Sequence, residues 1–287
     1  MPLRPIRLPK TCPLRAVPLA IIAAAALLAA LRSATAADLP DLHTDRDAFT
    51  PATVCIAPGT MLAEGSQVYI DNGLGLPTNS YPELLWRIGA TKRFEWRLGV
   101  NYSVGAQGNV VTSVEVGELP LDSHPLYESS VLYGFKAAVS EQWGLLPESC
   151  FIMEASTPMY GELFGSVPVA TYVAGWELPE LFSFRRAAAW RLDTAIRYAY
   201  AEAETNWFSR WGPSAVLRIP VTARWEVHAE YFGTFTQGLA NDTSRKFFSP
   251  GTHYILTKNL EIGLRVGWGL TDPAAPFFSD AGFGYRW

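Results

Sequence analysis

Fourteen charged residues and one histidine fall at alternating positions along the chain: Glu83, Arg87, Glu95, Arg97, Glu128, Lys136, Arg191, Asp193, Arg197, Arg218, Glu226, Glu230, Glu261 and Arg265, with His228 among them. Both signs interleave, which suits two kinds of chemistry. One is a mixed-charge ladder that holds a closed sheet together and fills its bore. The other is a constriction whose charge and width select solutes. Catalysis would need a nucleophile beside a base, and the only histidines, His43, His124, His228 and His253, sit in no recognisable nucleophile motif. His228 lies between Glu226 and Glu230 on one parity, where a hydrogen-bonded, inward-facing role fits it. No histidine spacing matches a metal site, so neither metal nor cofactor is expected.

The elements that place these residues alternate with period two. From Phe94 to Tyr102, the residues Phe94, Trp96, Leu98, Val100 and Tyr102 alternate with Glu95, Arg97, Gly99 and Asn101. A helix does not sort residues this way, but a strand does. Leu84, Trp86, Ile88 and Ala90 alternate just before, and Thr91-Lys92-Arg93 separates the two runs. A three-residue turn pairing Ala90 with Phe94 keeps apolar opposite apolar and sets Arg87 opposite Arg97, with Glu95 diagonal to Arg87. Pairing Ile219 with Trp225 across residues 220–224 would likewise set Arg218 opposite Glu226. The turn Thr257-Lys258-Asn259 precedes a strand in which Leu260, Ile262, Leu264, Val266 and Trp268 alternate with Glu261, Gly263, Arg265, Gly267 and Gly269.

Similar alternation runs through 127–139 and 190–200, and weaker alternation covers 61–71, 149–156, 169–177 and 251–256, for a total of twelve strands. Short turns at 91–93, 140–147, 178–187, 220–224 and 257–259 alternate with longer loops at 103–125, 157–168, 201–210, 236–248 and 270–276. The run Phe277 to Trp287 puts Phe277, Ser279, Ala281, Phe283, Tyr285 and Trp287 on one face. An aromatic terminal strand of this kind closes outer-membrane β-barrels, and is the segment expected to engage the outer-membrane assembly machinery. The sequence therefore predicts an all-β, twelve-stranded antiparallel transmembrane β-barrel of the bacterial outer membrane.

The apolar faces carry paired aromatics near their ends: Phe94 and Tyr102, Trp190 and Tyr200, Trp225 and Phe235, Phe277 and Trp287, with Trp268 beside them. Eight to ten residues at a tilt near 40 degrees separate such rings by about 20 to 25 Å, close to the apolar height of these barrels. These are expected at the two lipid interfaces, with the bilayer as the partner. The opposite faces, with their glycines and opposed charges, look like a wet interior. Eight strands give a filled barrel and sixteen an aqueous channel, so twelve predicts a narrow or partly blocked bore.

Upstream, Arg4, Arg7, Lys10 and Arg15 precede an apolar run from Ala16 to Leu31, followed by Ala34-Thr35-Ala36. This reads as a secretory signal at 1–36, cleaved near Ala36. Residues 37–60 form a Pro-containing segment, periplasmic or lying in the bore as a plug, and 61–287 form the barrel. Without the signal the chain has 18 Lys and Arg against 27 Asp and Glu, a formal charge of −9. An acidic chain without a basic run lacks the electrostatic footprint for nucleic acid. Although 49% of residues are hydrophobic, no run past the signal approaches eighteen, which excludes helical spans. Cys55 and Cys150 survive processing, bridged or free.

The stretch 45–51 (Asp-Arg-Asp-Ala-Phe-Thr-Pro), Ala57-Pro58-Gly59, Glu64, residues 82–89 (Pro-Glu-Leu-Leu-Trp-Arg-Ile-Gly), 93–99 (Arg-Phe-Glu-Trp-Arg-Leu-Gly) and the closing 282–287 (Gly-Phe-Gly-Tyr-Arg-Trp) resemble the outer-membrane transporter family named after the meta-pathway of phenol degradation. The resemblance covers essentially the whole mature chain, less closely at 103–125 and 157–187. It implies an outer-membrane barrel passing small, often apolar or aromatic molecules. The rival expectations are a lipid-acting hydrolase of the outer membrane and a non-conducting structural or adhesive barrel that binds through loops such as Asn241–Phe248.

Overall fold

The computed structural model describes residues 42–46, 48–105, 111–112, 126–160, 167–178, 189–203, 206–239 and 241–287. The signal expected at 1–36 and residues 37–41 lie outside them. Twelve strands follow one another: β1 (Met61–Asp71), β2 (Thr78–Thr91), β3 (Phe94–Gly105), β4 (Leu126–Ser140), β5 (Glu148–Tyr160), β6 (Val167–Leu178), β7 (Trp190–Ala203), β8 (Asn206–Thr222), β9 (Trp225–Gln237), β10 (Ser244–Thr257), β11 (Leu260–Gly269) and β12 (Phe277–Arg286). Each pairs antiparallel with its neighbours in sequence. β1 pairs with β12 from Leu62↔Arg286 to Asp71↔Phe277, so the sheet closes on itself. Closure leaves no sheet edge unpaired, as a bilayer demands.

One rim, called here the terminal rim, holds the start of β1 and the end of β12, where Met61 and Trp287 exchange backbone hydrogen bonds of 3.1 Å. Three hairpins on it use the same turn. Thr91 pairs with Phe94, Thr222 with Trp225 and Thr257 with Leu260, each across two residues and each followed by a bulge. The threonine hydroxyl accepts the backbone N–H two residues on, at 3.2 Å from Arg93, 3.2 Å from Arg224 and 3.3 Å from Asn259. The expected odd-residue turns are thus replaced by two-residue turns plus a bulge, in which the extra bulge residue restores the parity that a bare two-residue turn would reverse. Arg87 still pairs with Arg97. At β8–β9 the register differs from expectation: Arg218 pairs with His228, and Glu226 with Pro220, because the strands continue two residues closer to the turn.

On the far rim the strands outrun their apolar alternation. β7 and β8 continue to Ala203 and from Asn206, and β5 to Tyr160, so the connections there are shorter than 201–210 and 157–168 suggested. The ladder continues there through Glu202↔Trp207 and Ala203↔Asn206, because backbone pairing does not need the alternation to persist.

Side chains sort by parity as the strands dictate. Trp96, Leu98, Tyr102, Tyr200, Trp225, Trp268, Phe283, Tyr285 and Trp287 are exposed on the outer surface. Phe94, Trp190, Phe235 and Phe277 are half-buried there. The inner face is not the open, water-lined surface expected: Glu64, Glu83, Arg87, Glu95, Lys136, Asp193 and Glu230 are fully buried.

Candidate functional site

The chain itself fills the bore. Residues 42–56 form a hairpin entering from the terminal rim. On the way in, the Thr44 hydroxyl donates to Glu261 on β11 at 2.6 Å. At the tip, the backbone N–H groups of Phe49 and Thr50 donate to Glu230 on β9 at 3.0 and 2.7 Å, and the Thr50 hydroxyl bonds Ser214 on β8. On the way out, the Thr53 hydroxyl donates to Glu148 on β5 at 2.6 Å, and the Ile56 N–H donates to Glu95 on β3 at 2.8 Å. The Ala52 N–H donates to Asp45 at 3.0 Å, tying the two limbs together. Contacts to opposite sides of a closed wall, with Asp45 and Thr50 fully buried, place the hairpin inside the barrel. It leaves across the terminal rim, where Gly59 N–H donates to Gly89 O and Gly89 N–H to Thr60 O.

Asp45 is the electrostatic centre of this plug. Lys136 Nζ reaches its two oxygens at 3.0 and 2.7 Å, Arg97 Nη1 bonds it directly, and Arg87 Nη1 stands 3.5 Å away. Burial opposes its charge, but Arg87, Lys136 and Arg97 outweigh that and hold the carboxyl well below the usual carboxylate range. Two of the three cations are themselves shared: Arg87 with Glu95 and Glu64, Arg97 with Glu154 and Glu95. Lys136 also donates to the Ala52 carbonyl at 2.9 Å, and Arg87 to the carbonyls of His43 and Val54 at 2.6 and 2.8 Å. Arg46 pairs with Glu83.

Three further groups of inward side chains line the wall. Arg191 bridges Asp193, Glu148 and the Thr53 hydroxyl, and Arg218 lies 3.5 Å from both Asp193 and Glu226. Arg265 pairs with Glu230 at 3.1 Å and Asp280 at 3.3 Å. His228 Nδ1 and His253 Nε2 are 3.1 Å apart, and His253 Nδ1 is 3.6 Å from Glu261. The side chain of Glu128 lies outside the described residues.

Toward the far rim the filling becomes aromatic, which the alternation of charges did not signal. Phe49, at the plug tip, stacks on Phe232 with centroids 4.5 Å apart, and Phe232 stacks on Phe247 at 4.8 Å. The Arg197 guanidinium lies 4.5 Å over the Phe49 ring, and Arg265 lies 5.2 Å from the centre of Phe278. From the far side, Val111 and Thr112 of the β3–β4 connection reach in. Arg265 donates to the Val111 carbonyl at 2.8 Å, and the Thr112 hydroxyl donates to Glu83 at 3.2 Å. A cavity of about 20 Å³ beside Thr44, Arg46, His253 and Glu261 has room for about one water. Cys55 and Cys150 are free thiols, donating to the carbonyls of Lys136 and Ala52 at 3.8 Å.

Of the expected inward residues, Glu83, Arg87, Glu95, Arg97, Lys136, Asp193, Arg197, Arg218, His228, Glu230, Glu261 and Arg265 are buried, but parity reading left out Asp45, Arg46, Glu64, Glu148, Glu154, Arg210, Arg245, His253 and Asp280. Glu64, Glu154 and His253 stand at inward positions of the weakly alternating segments and Asp280 at one of the terminal strand, so applying the same parity there would have found them. Asp45 and Arg46 are on no strand, and only their partners reveal them.

Together these features define a plugged, twelve-stranded barrel of the outer-membrane class. No protein-family model matches the sequence, and no curated protein does. Among solved structures, the fold is similar to an outer-membrane channel from Pseudomonas putida F1, with a TM-score of 0.57 and 10% identity, covering 82% of this chain and 98% of that one. It also aligns with the translocator domain of the autotransporter NalP from Neisseria meningitidis (TM-score 0.48, 7% identity, 94% and 96% covered) and with the NanC porin (0.46, 8%, 78% and 98%). At these identities the likeness concerns the fold.

Proposed function

We propose that the protein is an outer-membrane channel for small molecules, held shut in this structure by residues 42–56, and that its solutes include aromatic compounds. The observation that carries this reading is the plug tip. The Phe49 ring lies between the Arg197 guanidinium and the face of Phe232. When the hairpin withdraws, it leaves an aromatic face opposed by a cation, a slot that accepts any flat ring of similar size. The plug is tied mainly by charge and hydrogen bonds rather than by a large apolar interface, which suits a segment that leaves and returns. A lipid-acting hydrolase fits less well, because His228 and His253 point into the bore, away from the lipid face where such chemistry would have to occur.

The mature chain and a variant lacking residues 42–56 should be refolded, checked for heat-dependent gel mobility, and compared in planar bilayers. The deletion is expected to raise conductance, and a small aromatic carboxylate is expected to interrupt its current. Equal, negligible conductance in both, with the barrel intact, would instead mark a structural or adhesive barrel.

A further inference from the structure

Three turns of the terminal rim have polar tips, at Lys92–Arg93, Ala223–Arg224 and Lys258–Asn259. The β4–β5 connection, residues 141–147, differs in composition and construction: it reads Glu-Gln-Trp-Gly-Leu-Leu-Pro. Trp143 and Leu146 exchange backbone hydrogen bonds of 3.1 and 3.0 Å around Gly144, whose φ of +59° favours glycine. The Ser140 hydroxyl donates to the Pro147 carbonyl at 2.9 Å. The Gln142 amide accepts from the Glu177 N–H at 2.7 Å and donates to the Glu177 carbonyl at 3.1 Å.

The connection is therefore a braced finger, yet it presents Trp143 at 83%, Leu145 at 94% and Leu146 at 63% exposure. The bracing fixes the backbone that presents these side chains. Its direction is set by the Trp176 indole, whose N–H donates to the Leu145 carbonyl at 3.0 Å. Trp176 shares the outward parity of Tyr172 on β6, so the finger is fastened to the outer side of the wall and not beneath the bore. It continues an outer apolar surface formed by Val139, Phe151 and Tyr172, all exposed.

We infer that residues 142–146 form a lipid-seated finger that inserts Trp143, Leu145 and Leu146 into the bilayer leaflet on the terminal side. Continuity with the apolar belt identifies the occupant as lipid, and a tryptophan at that boundary keeps its ring among acyl chains and its N–H near headgroups. The inference rests on the membrane reading above and adds to it a second, non-strand grip that would resist rotation and tilt of the barrel.

Its test uses Trp143→Cys in a Cys55→Ser/Cys150→Ala background, labelled with a bimane dye, with Leu145→Cys as a second position. Tyr172→Cys on the belt and Lys258→Cys on a polar turn serve as references. Each protein is folded into phosphatidylcholine vesicles with brominated acyl chains and checked for heat-dependent gel mobility. The finger labels are expected to be quenched by bromolipid to within about twofold of the belt label, and severalfold less than the Lys258 label by aqueous iodide. Finger labels that behave like the Lys258 label, while the belt label is quenched by lipid, would overturn the finger and leave the membrane barrel standing. A belt label untouched by bromolipid would overturn the membrane reading itself.

Discussion

Replacing Asp45 with asparagine keeps the side-chain shape and removes the one charge that Lys136, Arg97 and Arg87 share within the plug. Breaking a buried ion pair by removing one partner costs about 3–5 kcal/mol. The lower end applies here, because Arg87 and Arg97 keep Glu95, Glu64 and Glu154 when the plug charge is lost. Lys136 has no such reserve at short range, since Glu95 is 4.0 Å away. A loss of about 3 kcal/mol corresponds to a change of roughly two orders of magnitude in the seated-to-withdrawn ratio. Single channels of Asp45→Asn in planar bilayers should therefore open far more often than wild type, with the open level matching that of the variant lacking 42–56. Gel mobility should stay heat-dependent, because no strand pairing involves residue 45. An open probability within about twofold of wild type, in an intact barrel, would refute the charge argument and leave the Phe49–Phe232 stack as the hold.

Arg97→Ala and Arg218→Ala should alter conductance or ion preference without preventing assembly, since each leaves carboxylates facing the bore; unchanged currents in both would make these residues scaffold. A side chain at Gly89 would run into the Ala57 carbonyl where the plug crosses the rim, so Gly89→Val should loosen the hairpin by about 1–3 kcal/mol, read as faster proteolysis within 42–60 of folded protein. Because the Asp45 carboxyl is held below its ordinary range, its contribution to seating is present at neutral pH and is lost only as pH falls through that lowered value. Asp45 therefore keeps its charge from about pH 7 to about pH 5, and the gain in open probability caused by Asp45→Asn should be the same at both ends of that window in bilayer recordings; a gain that vanishes at about pH 5 would mean that Asp45 is already protonated there.

Period-two alternation was enough to read the twelve strands, their closure and the inward placement of residues such as Arg87 and Glu95, because one-residue errors would turn every side chain to the wrong face. It did not fix register: Arg218 meets His228 because the β8–β9 turn is two residues and a bulge, which alternation alone cannot distinguish from a longer loop of the same parity. The Thr91, Thr222 and Thr257 hydroxyls mark that turn, and the recurring Thr-x-Arg/Asn was its legible trace. The filled interior was less visible. Charges opposite an apolar face read equally as water-lined or as paired with a segment from elsewhere, and Asp45 supplies the pairing from a stretch with no periodicity at all. The inner aromatic cluster of Phe232, Phe247 and Phe278 was hidden for a similar reason: in isolation an inward phenylalanine reads as a break in the pattern.

The hairpin has both its feet at one mouth of the cylinder. A thread passed through a tube must be drawn out along its whole length, whereas a folded finger can be retracted from the side it entered, with the chain still joined to β1. Opening then needs no strand to part from its neighbour, and a force applied upstream of His43 would unzip the contacts in order, Thr44 first, Phe49 and Thr50 at the tip next, and Thr53 and Ile56 last.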